Sequence, residues 1–379
     1  MNKKIIFVGG GSGGHVIPAT VIAKIFLNNG FDILWIGSKK KKELELQILK
    51  NEILNNLNPN NFKYFTISTC KFRRKSTLIK SIFSIENIID FFNLIIGFFE
   101  SFFILIKSKP KFIFSKGGFV SVPVLLAAKI LKIPSFTHES DYSIGLANKI
   151  NSKLSIKIFY SFDETLNNYD FLKTKGIFSG NPIRDNFRNF NENFKENIDF
   201  KNYLNSLFSN NKPILLILGG SLGAQSLNEI IVSNINFLKN YFNIIHQCGK
   251  NKIIMAKTEF YYPIEFINEN IEKYIFYSNL IISRAGANTL FEILFLKRPA
   301  IFVPLTFATR GEQYLNANYF YKRELCLLYN EKELKENFIN IFEDIIKNKK
   351  IEKIESNLKN INFPNSNEII YENIIKIIN

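Results

Sequence analysis

A glycine-rich stretch with a histidine lies close to the start of the chain. Five of the six residues at 9–14 are glycine, Ser12 is the exception, and His15 follows directly. The apolar run Ile5 to Val8 precedes the stretch, and a helical pattern follows it. Glycines at such a turn let the backbone approach a ligand, while free N–H groups and the helix dipole attract phosphate. The stretch predicts a phosphate-binding loop, although one loop of this kind is weak evidence.

A second loop of the same design covers Gly219 to Ala224, after the apolar run at 214–218, and Ser221 adds a hydroxyl donor. A dinucleotide site would need an acidic residue about 20 positions after the first loop. Gly37, Ser38 and four lysines occupy that region instead. Two phosphate loops therefore predict a diphosphate or nucleotide bound between two domains.

His15 is the first candidate for a general base. The dipole at a helix N-terminus disfavours the imidazolium form, so this histidine stays neutral and able to accept a proton near pH 7. The alternatives are that it caps its helix or binds phosphate. Glu139 is the competing base, because it follows a predicted strand end, where open α/β sheets place functional groups. For the adjacent His138 we expect a structural hydrogen bond.

The elements that position these residues alternate between short β-branched runs and longer helical patterns, which is typical of βαβ units and parallel sheets. The predicted strands are 5–8, 33–36, 112–114, 135–137, 214–218, 242–245, 280–283 and 300–303.

A chain of 379 residues exceeds what one hydrophobic core organises, roughly 250 to 300 residues. The predicted fold class is α/β, with two doubly wound Rossmann-like domains facing a central cleft. The predicted domains are 1–183 and 184–362, with a terminal helix at 363–379 packing back on the first.

Composition narrows the function classes. Hydrophobic residues make up 46% of the chain, which excludes wholesale disorder. Three scattered cysteines and a short N-terminal apolar run favour the reducing cytoplasm. The net charge of +16 is spread along a chain rich in Asn, Lys and Ile, so nucleic acid is not predicted as a partner. The absence of an Asp-x-Asp motif and of a His/Cys cluster predicts no metal, and no cofactor is expected.

Residues 77–107 hold the densest apolar segment of the chain. The longest uncharged stretch within this segment, 91–99, is too short to span a bilayer. Polar residues every three or four positions form one narrow stripe, which leaves apolar surface beyond what a sheet-packed helix needs. Basic residues flank the segment at 71–75 and 107–111. The pattern favours peripheral contact with an anionic membrane surface, and the alternative is a long core helix with solvated ends.

Seven segments together resemble the MurG family of peptidoglycan N-acetylglucosaminyltransferases, in order and spacing over nearly the whole chain. They are 10–18, 116–123, 138–139, 180–184, 219–224, 246–249 and 283–287. The resemblance implies that the two domains form a GT-B fold. It further implies an inverting, metal-independent transfer from UDP-N-acetylglucosamine to the C4 hydroxyl of the muramyl sugar of lipid I. It also implies a peripheral location on the cytoplasmic face of the inner membrane, with other cell-wall synthesis proteins as further partners.

The resemblance also assigns site residues. Arg184 and Ser221 would hold the diphosphate of the donor, Ile267 would lie near the uracil, Glu292 would accept from the ribose and Gln313 would hold sugar hydroxyls. The remaining residues assigned to UDP-N-acetylglucosamine are Ser12, Gly13, Gly14, Ala287, Asn288 and Thr289. The residues assigned to the acceptor are Gly10, Gly11, Gly117, Gly118 and Asp141.

Three positions depart from the family pattern: Phe119 replaces the usual Tyr, Asp141 the usual Asn, and Glu312 a frequent Gln. Each departure changes which hydrogen bonds the side chain can donate. Two rival functions remain open at this point. One is a GT-B enzyme for another lipid acceptor such as diacylglycerol, and the other is a membrane-bound nucleotide-binding module without activity.

Overall fold

The computed structural model describes residues 3–11, 13–53, 61–69, 85–220, 223–305 and 311–379, with the backbone alone at 85–88. The chain divides into two compact units. Unit one comprises Met1–Pro182 and Pro364–Asn379, and unit two comprises Ile183–Phe363.

Unit one contains seven strands within its described residues: β1 (Lys4–Val8), β2 (Asp32–Ser38), β3 (Phe62–Ile67), β4 (Ile113–Ser115), β5 (Ser135–Glu139), β6 (Lys157–Tyr160) and β7 (Gly176–Phe178). They form one parallel sheet in the order β3-β2-β1-β4-β5-β6-β7. The helices that connect them are α1 (Gly13–Asn28), α2 (Lys42–Glu52), α3 (Ile85–Ser108), α4 (Ser121–Ile130), α5 (Leu146–Leu154) and α6 (Leu172–Lys175).

Unit two contains six strands in the part that the structure describes: β8 (Ile214–Leu218), β9 (Asn243–Gln247), β10 (Tyr261–Ile264), β11 (Leu280–Ser283), β12 (Ala300–Phe302) and β13 (Leu327–Leu328). They form a parallel sheet in the order β10-β9-β8-β11-β12-β13. Its helices are α7 (Asp185–Arg188), α8 (Lys195–Ser206), α9 (Gln225–Ser233), α10 (Ile235–Leu238), α11 (Ile271–Phe276), α12 (Ala287–Phe295), α13 (Glu312–Tyr321), α14 (Glu331–Lys347) and α15 (Lys350–Lys359).

The last helix, α16 (Ser366–Ile378), belongs to unit one. Ile370 and Ile374 are fully buried in the core that also holds Phe26 of α1, and the Tyr371 ring lies 5.0 Å from the Phe26 ring. The helix therefore completes one of the two layers that cover the first sheet.

Strand β1 explains why the sheet of unit one is covered on both faces. Residues Ile5 to Val8 are all fully buried. Ile5 and Phe7 enter the core beneath α1 and α16, whereas Ile6 and Val8 enter the core beneath α3 and α4. Successive side chains of a strand point to opposite faces, so a continuous apolar run is what a doubly covered parallel sheet requires.

The predicted fold class is confirmed: both units are doubly wound parallel α/β structures. The prediction that they face a shared cleft stays a prediction. All eight predicted strands are present, two of them displaced toward the carboxyl side, to Ile113–Ser115 and Asn243–Gln247. The segment predicted as a helix or insertion at 186–211 contains α8 and most of α7.

Helix α3 lies on unit one with its polar stripe turned inward. Asp90 is buried, Gly97 lies against the carbonyl of Ser68, and Glu100 accepts the Ser68 N–H at 2.6 Å. The outward face spans about 160° at 100° per residue and carries exposed Ile89, Phe91, Phe92, Ile95, Ile96, Phe99, Phe103 and Ile106. The expected surplus of apolar surface is present, but the polar stripe faces the protein rather than water.

By length and composition alone, Ile89–Ser108 of α3 could cross a membrane, with a mean hydropathy of 2.0 over 20 residues. The inward side of α3 packs on α4 and contributes Leu105 to the core, as a covering helix of the sheet does. Of the predicted basic flanks, Lys107 and Lys109 are exposed, and Lys71, Arg73, Arg74 and Lys75 lie outside the described residues.

Candidate functional site

The strand orders place a topological switch point in each sheet. In unit one the order reverses between β1 and β4, and in unit two it reverses between β8 and β11. Ligands of open α/β sheets bind beyond the carboxyl ends of the strands at such points. The first glycine loop follows β1 and residues 116–118 follow β4, while the second glycine loop follows β8 and residues 284–286 follow β11. The sequence-predicted loops therefore flank both switch points.

His15 lies in the first turn of α1, where it contacts the loop after β4. Its Nδ1 is 3.2 Å from the carbonyl oxygen of Lys116. A carbonyl only accepts, so Nδ1 carries the proton and Nε2 is the basic nitrogen of the neutral ring. Gly118 has a φ of +77°, and a Cβ there would lie 3.2 Å from His15 Cδ2. The loop thus sets both the tautomer and the position of the candidate base.

Glu45 of α2 is a residue of this site that sequence reasoning missed. Its buried carboxylate accepts the Gly11 N–H at 2.8 Å, the Ser38 N–H at 3.0 Å and the Tyr64 hydroxyl at 2.8 Å. Burial raises the pKa of Glu45, and these hydrogen bonds oppose the rise. The Gly11 N–H, which the sequence assigned to the acceptor, is therefore already hydrogen bonded within the protein. Gly10 leaves room for this carboxylate, since a Cβ there would lie 2.7 Å from Glu45 Oε1.

His138 and Lys116 form a buried polar pair beside the loop that follows β4. Lys116 Nζ donates to His138 Nδ1 and, at 2.6 Å, to Ser140 Oγ. His138 Nε2 donates to the Gly180 carbonyl at 3.0 Å. Burial and the charge of Lys116 hold the pKa of His138 well below its usual range, so this histidine is neutral. The structural hydrogen bond expected for His138 is present.

Glu139, the competing base, has a buried carboxylate that three donors engage. It accepts the Asp141 N–H at 3.0 Å, the Gly145 N–H at 2.9 Å and Asn148 Nδ2 at 3.0 Å. Asn148 also fills the space beside Gly117, where a Cβ would lie 2.7 Å from the amide group. These contacts make Glu139 an organiser of the loop at 140–145.

The glycines of the first loop differ in exposure. Of those assigned to the acceptor, Gly10 is buried and Gly11 is exposed. Of those assigned to UDP-N-acetylglucosamine, Gly13 is half-buried at the start of α1 and Gly14 is exposed. The Asp141 side chain is half-buried. Ser12 and Ser221 lie outside the described residues.

In unit two, Gln247 joins the second glycine loop to Ile267. Its Nε2 donates to the Gly220 carbonyl at 3.3 Å, and its Oε1 accepts the Ile267 N–H at 3.0 Å. Ile267 is buried. The predicted diphosphate loop and the predicted uracil residue are therefore linked through one side chain at the end of β9.

Arg184 and Glu292 form a two-pronged ion pair. Arg184 Nε lies 2.7 Å from Glu292 Oε1, and Arg184 Nη2 lies 2.9 Å from Oε2. The sequence assigned these side chains to separate parts of the donor, but the structure brings them together. Each carboxylate oxygen has a further lone pair, so Glu292 orients the guanidinium and can still accept from a hydroxyl.

The remaining donor candidates lie at two helix N-termini. Asn288 and Thr289 are half-buried in the first turn of α12, which begins at the buried Ala287. Gln313 lies in the first turn of α13, and its Oε1 accepts the Leu305 N–H at 3.0 Å. These first turns present backbone N–H groups and the positive end of a helix dipole.

Two polar residues of unit two serve its architecture. His246 is buried with Nδ1 3.0 Å from the Tyr261 hydroxyl and Nε2 3.0 Å from Asn228 Oδ1, and burial lowers its pKa to about 4. Arg284 donates to the Val303 carbonyl and pairs with Glu331 at 2.9 Å. These contacts hold the His246 and Arg284 side chains within unit two rather than toward a ligand.

Comparison with known proteins identifies the family. The model for the glycosyltransferase family 28 N-terminal domain matches residues 5–160, and the model for the C-terminal domain matches residues 214–368. Together they cover most of the chain. The chain belongs to glycosyltransferase family 28.

Curated relatives in family 28 match along the full length. A protein of Clostridium tetani is 38% identical over 100% of this chain and 98% of its own length. A protein of Borreliella afzelii is also 38% identical, over 99% of this chain and 97% of its own. Both are named UDP-N-acetylglucosamine–N-acetylmuramyl-(pentapeptide) pyrophosphoryl-undecaprenol N-acetylglucosamine transferase.

Solved structures show the same fold. Acinetobacter baumannii MurG superposes with a TM-score of 0.73 at 23% identity, covering 99% of both chains. A UDP-GlcNAc 2-epimerase from Neisseria meningitidis gives a TM-score of 0.66 at 16% identity, covering 98% of this chain and 100% of its own.

The family 28 matches divide the candidate residues between the two domains. The N-terminal match includes His15, Glu45, Lys116 and Glu139, and the C-terminal match includes Glu292. Arg184 lies between the matched ranges, where it precedes α7. The departures Phe119, Asp141 and Glu312 are all half-buried, and their effects on acceptor contacts stay predictions.

Proposed function

We propose that this family 28 enzyme transfers N-acetylglucosamine from UDP-N-acetylglucosamine to lipid I, a polyprenyl diphosphate that carries N-acetylmuramyl pentapeptide. Full-length relatives at 38% identity carry the name of this reaction. The structural observation that carries the proposal is the position of His15, held by the Lys116 carbonyl and Gly118 at the switch point of unit one.

The proposed chemistry is a single displacement at the anomeric carbon. The C4 hydroxyl oxygen of the muramyl sugar forms a bond to that carbon, while the bond to the β-phosphate oxygen breaks and UDP leaves with the electron pair. The hydroxyl proton passes to Nε2 of His15, the basic nitrogen in the tautomer that Lys116 selects. Attack opposite the leaving group inverts the configuration.

The proposed donor site lies at the switch point of unit two. Arg184, oriented by Glu292, would pair with the diphosphate as a fork, because a guanidinium matches phosphate oxygens in geometry. The α12 N-terminus and the second glycine loop would add backbone N–H groups. Stabilising the charge that develops on UDP lowers the barrier to its departure. Gln247 would hold the second glycine loop in place relative to Ile267, which would lie near the uracil.

The proposed acceptor site uses the loops after β1 and β4, and the exposed face of α3 would rest on the membrane that holds the acceptor. Eight large apolar side chains on that face, followed by Lys107 and Lys109, suit partial burial in an anionic leaflet. Because the polar stripe and Leu105 of α3 face the interior of unit one, this helix would lie along the membrane surface. The proposed location is the cytoplasmic face of the inner membrane.

A two-by-two transfer assay tests the proposal. UDP-N-acetylglucosamine and UDP-galactose, each radiolabelled in the sugar, are offered with lipid I or diacylglycerol in detergent micelles. We expect label only in the product from UDP-N-acetylglucosamine and lipid I. Transfer to diacylglycerol would assign the enzyme to another lipid acceptor, and the absence of transfer in all four reactions would indicate a binding module without activity.

A further inference from the structure

Lys116 is a buried lysine that directly precedes Gly117 and Gly118. The residue is 2% exposed. Its ammonium group donates to Ser140 Oγ and His138 Nδ1, and Ser140 Oγ donates in turn to Asn181 Oδ1 at 2.7 Å. Taking a cation out of water is costly unless it is paired. The nearest partners of this ammonium are neutral, so the fold keeps a charge at the acceptor loop at a cost in stability.

The charged and titratable groups that contact Lys116 or act on its charge come from β5, the loop after β5 and α1. β5 contributes the neutral His138 and the carboxylate of Glu139, the following loop contributes Asp141, and α1 contributes His15 through the Lys116 carbonyl. Burial lowers the pKa of Lys116 to about 7, while Glu139 and Asp141 oppose the shift. Because His138 stays neutral, Lys116 is the member of this pair whose charge changes near neutral pH.

We propose that Lys116 is a positioning residue for the acceptor: its ammonium provides the acceptor loop with a buried positive charge that favours the lipid diphosphate, while its carbonyl orients His15. The inference rests on the proposed function, since the acceptor assigned to this loop is an anion. It goes beyond that function by coupling acceptor binding to the protonation of one lysine.

The coupling has a definite sign. A bound diphosphate stabilises the protonated form of Lys116, and by linkage the protonated form binds the diphosphate more tightly. Well below pH 7 the lysine already carries its proton, so binding takes up almost none there. Above pH 7 binding takes up a proton, and the KM for the acceptor rises with pH, by at most about tenfold per pH unit for one linked proton.

The first experiment compares wild type with Lys116→Met between pH 6 and pH 9, using a short-chain, water-soluble lipid I analogue and saturating UDP-N-acetylglucosamine. Methionine keeps the length of the side chain and removes its charge. We expect a KM for the acceptor that is raised about tenfold at pH 6.5 and nearly independent of pH, with the donor KM unchanged. Lys129→Met makes the same change at an exposed position of α4 and is expected to keep the wild-type profile.

A pH profile separates this role from a purely structural one. If Lys116 only held its neighbours in place, Lys116→Met would lower kcat while the acceptor KM kept its wild-type dependence on pH, and that result would overturn the inference. Absence of transfer by the wild type would instead overturn the proposed function.

Wild-type calorimetry keeps the inference testable if Lys116→Met does not fold. The lipid I analogue is titrated into wild-type enzyme in buffers of different ionisation enthalpy. We expect nearly one proton taken up per acceptor bound at pH 8.5 and almost none at pH 6. Uptake that is equal at both pH values, or greater at pH 6, would reject Lys116 as the linked group.

Discussion

At the scale of single residues, the tautomer of His15 is defined. Nδ1 donates to the Lys116 carbonyl, so Nε2 is the basic nitrogen. We expect His15→Ala to lower kcat by about 10² to 10⁴, the usual contribution of general base catalysis, with the donor KM changed less than about threefold. Steady-state kinetics with radiolabelled donor measure both constants.

The matched variant is His15→Asn, whose amide can still donate to the Lys116 carbonyl but offers no ring nitrogen as a base. It is expected to lose as much kcat as His15→Ala. A kcat that His15→Asn restores to near wild type would show that His15 acts by positioning alone.

Glu139 is expected to behave differently, because its carboxylate accepts three hydrogen bonds inside unit one. In Glu139→Gln, an amide group replaces one accepting oxygen and faces N–H donors. Hydrogen bonds to charged groups are worth about 1.5 to 3 kcal/mol, so we expect the free energy of unfolding to fall by roughly that amount. Chemical denaturation followed by circular dichroism measures the change. Unaltered stability together with lost turnover would return Glu139 to the position of candidate base.

What sequence predicts at this scale depends on how local the signal is. His15 and the glycine loops follow one another in the chain, so their chemistry was visible in the spacing. Glu45 sits in a lysine-rich stretch whose pattern is that of a solvated helix, and Lys116 resembles any basic residue beside a loop. Glu45 is buried where the ends of β1 and β2 meet Tyr64 of β3, and Lys116 is buried against β5. No local pattern contains these meetings.

At the scale of elements, the loop after β4 must keep glycine to hold the candidate base. Gly118 has a φ of +77°, and a Cβ would press on His15. We expect Gly118→Ala to destabilise unit one by about 1 to 2 kcal/mol, as strained left-handed backbone does, and to lower kcat more than tenfold. Gly13→Ala is the matched control for stability, since a Cβ there makes ordinary contacts. Equal losses of stability in both variants would contradict this account.

The outward face of α3 makes a separate prediction. Phe99 and Phe103 are 53% and 67% exposed, and burying a Phe side chain contributes about 1.5 to 3 kcal/mol. We expect Phe99→Ser with Phe103→Ser to weaken binding to vesicles rich in anionic phospholipid at least about tenfold, measured by co-sedimentation. Turnover on the water-soluble acceptor should persist.

The control for that experiment is Phe194→Ser, because Phe194 is 61% exposed in unit two. It should bind vesicles like wild type. Unchanged sedimentation of the α3 variant would remove this face as the membrane contact.

Element types were predictable where the pattern is long, and orientations were not. Buried apolar runs predicted the central strands of both sheets. The five strands that were not predicted, β3, β6, β7, β10 and β13, lie at a sheet edge or next to one and carry weaker signals. The periodicity of α3 predicted a polar stripe and a wide apolar face. It did not show which side faces the protein, because Glu100 and Asp90 meet their partners only in the folded unit.

At the scale of the whole molecule, the two sheets repeat one design, in which a glycine loop and a second loop flank a switch point. This repetition was predictable because each half restarts the strand, glycine and helix rhythm. The buried ammonium of Lys116 in unit one was not predictable, although it affects the stability of the protein as a whole. A single ionisable group buried in a domain makes the free energy of unfolding depend on pH.

Lys116 gives that dependence its sign. Its pKa is about 7 in the folded chain against 10.5 for an ordinary lysine, so between these values the unfolded chain binds more protons and stability rises with pH. From pH 6 to pH 9 the contribution of this group amounts to about 2 to 3 kcal/mol, at about 1.4 kcal/mol per pH unit above the folded pKa. Lys116→Met lacks it, so its stability relative to wild type should be greatest at pH 6 and decline by that amount at pH 9. Urea denaturation at each pH, with Lys129→Met as the control for loss of a surface charge, measures the difference. A difference that does not vary with pH would mean that Lys116 is protonated throughout, held as an ammonium by Glu139 and Asp141.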